Sequence, residues 1–179
     1  MRNLAFVAVA LVLGATPAAA WEEYIYPDDQ FAIQFPAEPE IETGVYETAL
    51  VPARPSTVYS VEHDNILYVI TVVDFSDRVR DGANFVGEIA YALMREGEVT
   101  FHDFPRVDRL ENAIYGVGMV VDRNDGSRVR SSIYFTGGRL YRADAIVLPA
   151  RGDKDMSIAS RFDQTLRFAI GATAALGAF

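Results

Sequence analysis

Cysteine is absent from this chain of 179 residues, which removes disulfides, thiolate metal ligands and thiol nucleophiles together. Lysine is nearly so, with Lys154 alone among the arginines. Positive charge is in deficit overall: the formal net charge is −9, a sign that opposes nucleic acid, whose phosphates need clustered Lys and Arg, and opposes acidic membrane surfaces. Histidine occurs only at His63 and His102. No His-Glu-x-x-His, no Gly-x-Ser-x-Gly elbow and no Gly-rich phosphate loop is present, so neither a metal nor a cofactor is indicated. Long apolar runs are missing too. The one candidate, Leu4 to Leu13, is about half of the roughly 20 residues that a spanning helix needs.

That run belongs to a leader. Arg2 supplies a positive start, Gly14 and Pro17 break the apolar stretch, and Ala18-Ala19-Ala20 offers a small-residue cleavage site, the three parts of a secretory signal peptide. Cleavage at Ala18 and Ala20 leaves Trp21 as the first mature residue and predicts a periplasmic or secreted protein with no transmembrane segment. The apolar run lacks the cysteine of a lipoprotein and the leader lacks a twin-arginine pair. Residues 21–168 then have the size and apolar fraction of a single domain.

Strand signals dominate the first half of that domain. Phe31 to Phe35 alternates until Pro36 stops it, and Thr57 to His63 and Ile66 to Phe75 flank Asp64-Asn65, a pair that tolerates the positive φ of a tight hairpin. Asp81 to Gly97 changes period, with Val86, Ile89, Ala90 and Leu93 three and four apart, and predicts the longest helix. Val99 to Val107 reads as one extended strand. A three-strand meander follows, Ala113 to Arg123, Ser127 to Thr136 and Arg139 to Leu148, joined at Asp125-Gly126 and Gly137-Gly138 as two-residue hairpins. A last helix opened by Asp155 carries a stripe of Ile158, Phe162, Thr165 and Leu166. The tail Ala169 to Phe179 is apolar and reads as frayed.

Two-residue turns fix register. They place Tyr134 opposite both Val117 and Tyr141, so that one face carries Tyr115, Val117, Met119, Val121, Tyr134 and Tyr141, and the other Gly116, Gly118, Val120, Ile133, Phe135 and Leu140. Neither face is solvated, which predicts packing on both sides. Gly116 and Gly118 then form a trough in which a helix could lie close. The expected class is α+β: an antiparallel twisted sheet of about six strands, ending in the meander, with helices packed on it.

The order of these elements resembles the PsbP-type α/β sandwich, shared by an extrinsic photosystem II subunit and a nuclear-import Ran-release factor. Phe31-Ala32-Ile33-Gln34-Phe35-Pro36-Ala37-Glu38-Pro39, Gly138-Arg139-Leu140-Tyr141 and Arg161-Phe162-x-x-Thr165-Leu166-x-Phe168 are similar to segments of small exported proteobacterial proteins of unknown function. The resemblance covers nearly all of the mature chain and implies the fold. It transfers no catalytic residue, because fold does not fix function.

Candidate chemistry is sparse. His63-Asp64 lies at a hairpin and His102-Asp103 in an extended segment, where neighbours point to opposite faces and form no orienting pair. A small hydrolase built on either histidine needs a remote Ser and Asp. Asp122-Arg123-Asn124-Asp125-Gly126 lacks the ligand alternation and closing Glu of a calcium loop. Glu22, Glu23, Asp28, Asp29, Glu38, Glu40 and Glu42 read as solvated charge on a mobile opening segment, and Arg151-Gly152-Asp153 as a chance triplet. The surface that stands out is Tyr115, Tyr134 and Tyr141 with Arg130 and Arg139 at the rim, since aromatic and Arg side chains give contact area and charge-assisted hydrogen bonds. The sequence therefore points to an exported accessory or binding domain without catalysis, its partner an envelope protein or a small ligand. The alternatives are the His63 or His102 hydrolase and an outer-membrane component docked through Phe179.

Overall fold

The computed structural model describes residues 21–108, 113–149 and 156–168. Ala18 and Ala20, Arg151-Gly152-Asp153 and the tail to Phe179 lie outside the described residues. The chain forms β1 (Glu22–Tyr26), β2 (Phe31–Phe35), β3 (Glu40–Tyr46), β4 (Arg54–His63), β5 (Ile66–Asp74), a 3-10 turn (Ser76–Asp81) and α1 (Gly82–Met94). Then come β6 (Gly97–Asp103), β7 (Arg106–Asp108), β8 (Ala113–Tyr115), β9 (Val117–Arg123), β10 (Arg128–Thr136), β11 (Arg139–Val147), α2 (Ser157–Gln164) and β12 (Arg167–Phe168).

All pairings are antiparallel and fall into three sheets: β3-β4-β5-β11-β10-β9-β6, β1-β2-β12 and the hairpin β7-β8. The main sheet thus has seven strands rather than about six, because β3 adds an edge. The opening segment, expected to be mobile, is tied down as β1, which matches β2 from Glu22–Phe35 to Tyr26–Phe31.

Turn chemistry sets the main sheet. Asp64 and Asn65 take φ of 50° and 65°, and Gly137 and Gly138 take 59° and 78°, so both act as the two-residue turns expected and place His63 opposite Ile66 and Thr136 opposite Arg139. The turn at Asp125-Gly126 differs. Arg123 N–H donates to the Ser127 carbonyl, closing a three-residue loop from Asn124 to Gly126, with Gly126 at φ 88°. The extra residue slips the register by one, so Ile133 and not Tyr134 lies opposite Val117. Val117, Met119 and Val121 therefore move to the face of Ile133 and Leu140, and Gly118 and Val120 join that of Tyr134.

Both faces are covered. Phe31, Ile33 and Phe35 of β2, with Ala159 and Phe162 of α2, pack on Tyr68, Ile70, Tyr134 and Tyr141. On the opposite face Phe85, Ile89, Ala90 and Leu93 of α1 pack on Val73, Met119, Val121, Val129, Ile133 and Leu140. Each fully buried Leu- or Phe-sized side chain contributes about 1.5–3 kcal/mol. The close approach of a helix is provided by Gly82, where a Cβ would fall 2.3 Å from Phe135 Cδ1. The expected trough at Gly116 and Gly118 is filled by side chains instead: a Cβ at Gly116 would meet the Tyr134 ring at 2.6 Å, and one at Gly118 would meet the Asp103 carboxylate.

Two long strands break where local chemistry demands it. Val99 to Val107 divides at Phe104-Pro105, and Ala113 to Arg123 divides at Gly116, whose N–H donates to the Pro105 carbonyl at 2.8 Å. The freed β8 pairs with β7. Helix α1 stops at Met94 rather than Gly97, and Gly97 instead opens β6, where a Cβ would fall 1.8 Å from the Asp122 carbonyl oxygen. In α2 the buried residues are Ala159, Phe162 and Asp163, continued past its end by Leu166, and Ile158 is 54% exposed. Together the four form a stripe of i, i+3, i+4, i+7 spacing, with an aspartate in it.

Candidate functional site

Asp163 is the residue around which a cleft is built. Its carboxylate is carried into the interior by α2 and meets Arg130 of β10 in a two-pronged pair, Nε to Oδ1 and Nη2 to Oδ2, both at 2.9 Å. Ser132 Oγ donates to the same Oδ2 at 2.7 Å. Arg130 and Ser132 are alternate residues of one strand, so their side chains rise on one face, the face that α2 covers. Burial works against the Arg130 charge, but the hydrogen bond to Asp163 and the charges of Asp163 and Asp103 outweigh it and raise its pKa. Removing one partner of a buried pair strands the other, at a cost of about 3–5 kcal/mol.

Above this anchor lies an open cleft of about 500 Å³, lined by Asp103, Arg106, Arg130, Tyr134, Asp163 and Arg167 among others. Asp103, at the end of β6, stands 3.9 Å from Arg130 through Oδ2. Among the described residues its buried Oδ1 has no hydrogen-bond partner, and it is seated against Gly118, the residue opposite it in register. Any larger residue at 118 would expel that carboxylate. Tyr134 closes the inner wall, edge-on to Phe168 at 5.4 Å between ring centres. Its phenol is pushed up by burial and by the negative charges of Asp163 and Asp103. Arg167 of β12 is tied to Glu23 of β1 at 2.6 Å, and Arg106 is exposed on the opposite rim.

The surface expected from the sequence is thereby divided. Arg130 and Tyr134 line the cleft. Tyr141 is buried beneath β2, donating its hydroxyl to the Asp29 carbonyl at 2.8 Å. Arg139 lies at the Gly137-Gly138 end, 3.8 Å from Asp74 and hydrogen-bonded to the Asp28 carbonyl. The backbone of Tyr115 pairs with Arg106 in the small hairpin. Asp103, Arg106, Asp163 and Arg167 were not among the expected site residues. An aspartate within the apolar stripe of a helix was the available signal for Asp163.

The histidines stand elsewhere. His63 Nε2 lies 3.4 Å from Asp64 Oδ2; the neighbours do meet, because Asp64 sits in the left-handed turn rather than in the strand. Trp21, Tyr68, Ser157 and Arg161 share their cleft of about 440 Å³. His102 is exposed, edge-on to Phe104 at 4.9 Å. Asp122 pairs with Arg128 and Asp125 holds Ser127, which makes that segment a hairpin tip. Among the described residues no cluster of three His, Cys, Asp or Glu could hold a metal ion, and no helix is long and apolar enough to cross a membrane. Among the described residues, the lining of the Arg130 cleft offers charge, hydrogen-bond donors and an aromatic wall.

No family profile matches the chain, and no curated protein does. Among solved structures, the solution structure of a cyanobacterial PsbP (CyanoP) from Synechocystis matches with a TM-score of 0.51 at 14% identity, covering 87% of this chain and 96% of that chain. The likeness shows a PsbP-like fold.

Proposed function

We propose that this chain is an exported accessory or binding domain of the periplasm or the secreted space, which acts by recognition rather than catalysis and receives a group of its envelope partner or ligand in the Arg130 cleft. The carrying observation is the guanidinium locked by Asp163 at the floor of an open cleft of about 500 Å³. Preorganised polar groups at the base of a concavity are what a binding site needs, because their ordering cost is met on folding and not on association. The leader supports the location, and the acidic composition supports a protein or small-molecule partner over nucleic acid.

Affinity capture from solubilised envelope, with the purified protein and its Arg106→Glu variant as parallel baits, tests the reading. Arg106 is exposed on the rim, so its reversal changes the cleft and leaves the core intact. The expected result is a saturable partner retained at least tenfold less well by the variant. Equal capture by both baits, or no saturable partner, contradicts it. A hydrolase would instead show turnover lost in His63→Ala or His102→Ala.

A further inference from the structure

The two edges of the seven-stranded sheet are built differently. At one edge β6 pairs with β9 through a register shift between Val99 and Phe101, a bulge of the kind that turns an edge away from further pairing. At the other, β3 matches β4 residue for residue, from Glu40–Ser60 to Tyr46–Arg54. It contains no proline, lysine or arginine, and the charges it carries as edge guards are Glu40 and Glu42 alone. Among the described residues no strand lies outside it. Ile41 and Val45 are 58% and 71% exposed, and with Thr43 between them they share one face, because side chains alternate along a strand.

We propose that β3 is the contact through which two copies of this chain associate, antiparallel, about a two-fold axis through Thr43. The strand complements its own reverse. Ile41 meets Val45 of the second copy, Glu42 meets Gly44, Glu40 meets Tyr46, and Thr43 meets its own counterpart, using all seven residues of the strand. No two glutamates then stand directly opposite, whereas sliding the pair to centre on Glu42 sets that carboxylate against itself and loses pairs at the end. Gly44 leaves room for the glutamate that crosses it. Four aliphatic side chains, two from each copy, form a strip on one face, and such cross-strand pairs are the unit of sheet stabilisation. The isologous contact joins two seven-stranded sheets into one continuous sheet and closes after two copies. Its area is at the small end for specific interfaces, so association is concentration-dependent. The surface is separate from the Arg130 cleft and stands independently of it.

A chain without cysteine gives the test a clean background. Thr43→Cys, Glu42→Cys and Val45→Cys are compared under mild oxidation: a disulfide needs Cβ atoms about 3.5–4.5 Å apart, which the proposed register supplies only at position 43. The expected result is a covalent dimer of Thr43→Cys forming at least tenfold faster than that of either neighbour. In sedimentation, the unaltered protein passes from monomer to dimer between micromolar and millimolar concentration. Val45→Lys weakens that dimer at least tenfold with an unchanged melting temperature, and Glu42→Gln tightens it by relieving diagonal repulsion. A protein monomeric at millimolar concentration, cross-linking equally fast at all three positions, or a dimer indifferent to Val45→Lys overturns the proposal.

Discussion

The two faces of the seven-stranded sheet are closed by different means. The α1 face is sealed from within the sequence, by a helix that lies between β5 and β6 and lays Phe85, Ile89 and Leu93 on an aliphatic floor of Val121, Val129, Ile133 and Leu140. The opposite face is sealed by the two ends of the domain: β1 and β2 from the start, α2 and β12 from the finish. There the packing is aromatic. Phe162 lies within 5.1–6.5 Å of the rings of Trp21, Phe35 and Tyr68, and the hydroxyls of Tyr59 and Tyr141 donate to Asp29 at 2.6 and 2.8 Å. A face closed by distant segments pays a larger loop-closure cost, and hydroxyl anchors fix where those segments sit. The cleft lies on this second face, at the seam where α2 and β12 meet β6 and β7. Its lining takes Asp163 and Arg167 from the closing segment and Asp103, Arg106, Arg130 and Tyr134 from the middle of the chain.

The largest test of that contrast truncates one aromatic on each side. Phe162→Ala and Phe85→Ala each remove a fully buried ring, and each costs about 3–5 kcal/mol. Hydrogen exchange separates them: Phe162→Ala exposes the amides of β1, β2 and β12 while α1 stays protected, and Phe85→Ala does the reverse. Uniform exposure in both variants would mean that the two closures unfold as one unit and that the contrast carries no energetic boundary.

A smaller effect follows from the tyrosines. Burial, followed by the charge of Asp64, pushes the Tyr68 phenol up to about 12, and burial does the same for Tyr26 with help from Tyr24 and Glu38. A phenol whose folded pKa lies above its unfolded value of about 10 resists deprotonation in the folded state. Its contribution to stability is therefore full below pH 10 and is lost as pH rises from 10 through 12. Alkaline titration should release phenolate absorbance together with loss of β1 and β2. Tyr68→Phe should make the end-closed face less sensitive to alkali, with the two curves diverging only above pH 10. On the α1 face Tyr46 is pushed up to about 12 by burial and then by Glu88, with Arg142 opposing.

Local chemistry made much of this legible. Asp64-Asn65 and Gly137-Gly138 announce their turns because few other pairs accept two successive positive φ values, and the registers of two hairpins, β4–β5 and β10–β11, follow from them. Asp125-Gly126 looks the same in sequence. It fails as a guide because Asp125 binds Ser127 through both N–H and Oγ, which draws Asn124 into the turn and shifts a whole strand by one residue. The candidate site was half readable. Arg130 and Tyr134 stand out as residue types, but Asp103 and Asp163 lie 27 and 33 positions away from Arg130 in the chain, and only the fold brings them together. Reading the α2 stripe through Ile158 hid Asp163; reading it through Ala159 shows a buried aspartate in need of a partner.

Both end segments cover the cleft-bearing face, and Trp21, the first described residue, sets its indole edge-on to Tyr68 at 5.2 Å and beneath the Arg161 guanidinium at 4.8 Å. The proposal of an exported domain comes down to where the native chain starts and where it is found. Intact-mass measurement of protein recovered from separated cell fractions answers both at once. The account predicts a chain beginning at Trp21 in the periplasmic or secreted fraction; a chain retaining Met1 in the cytoplasmic fraction would contradict it.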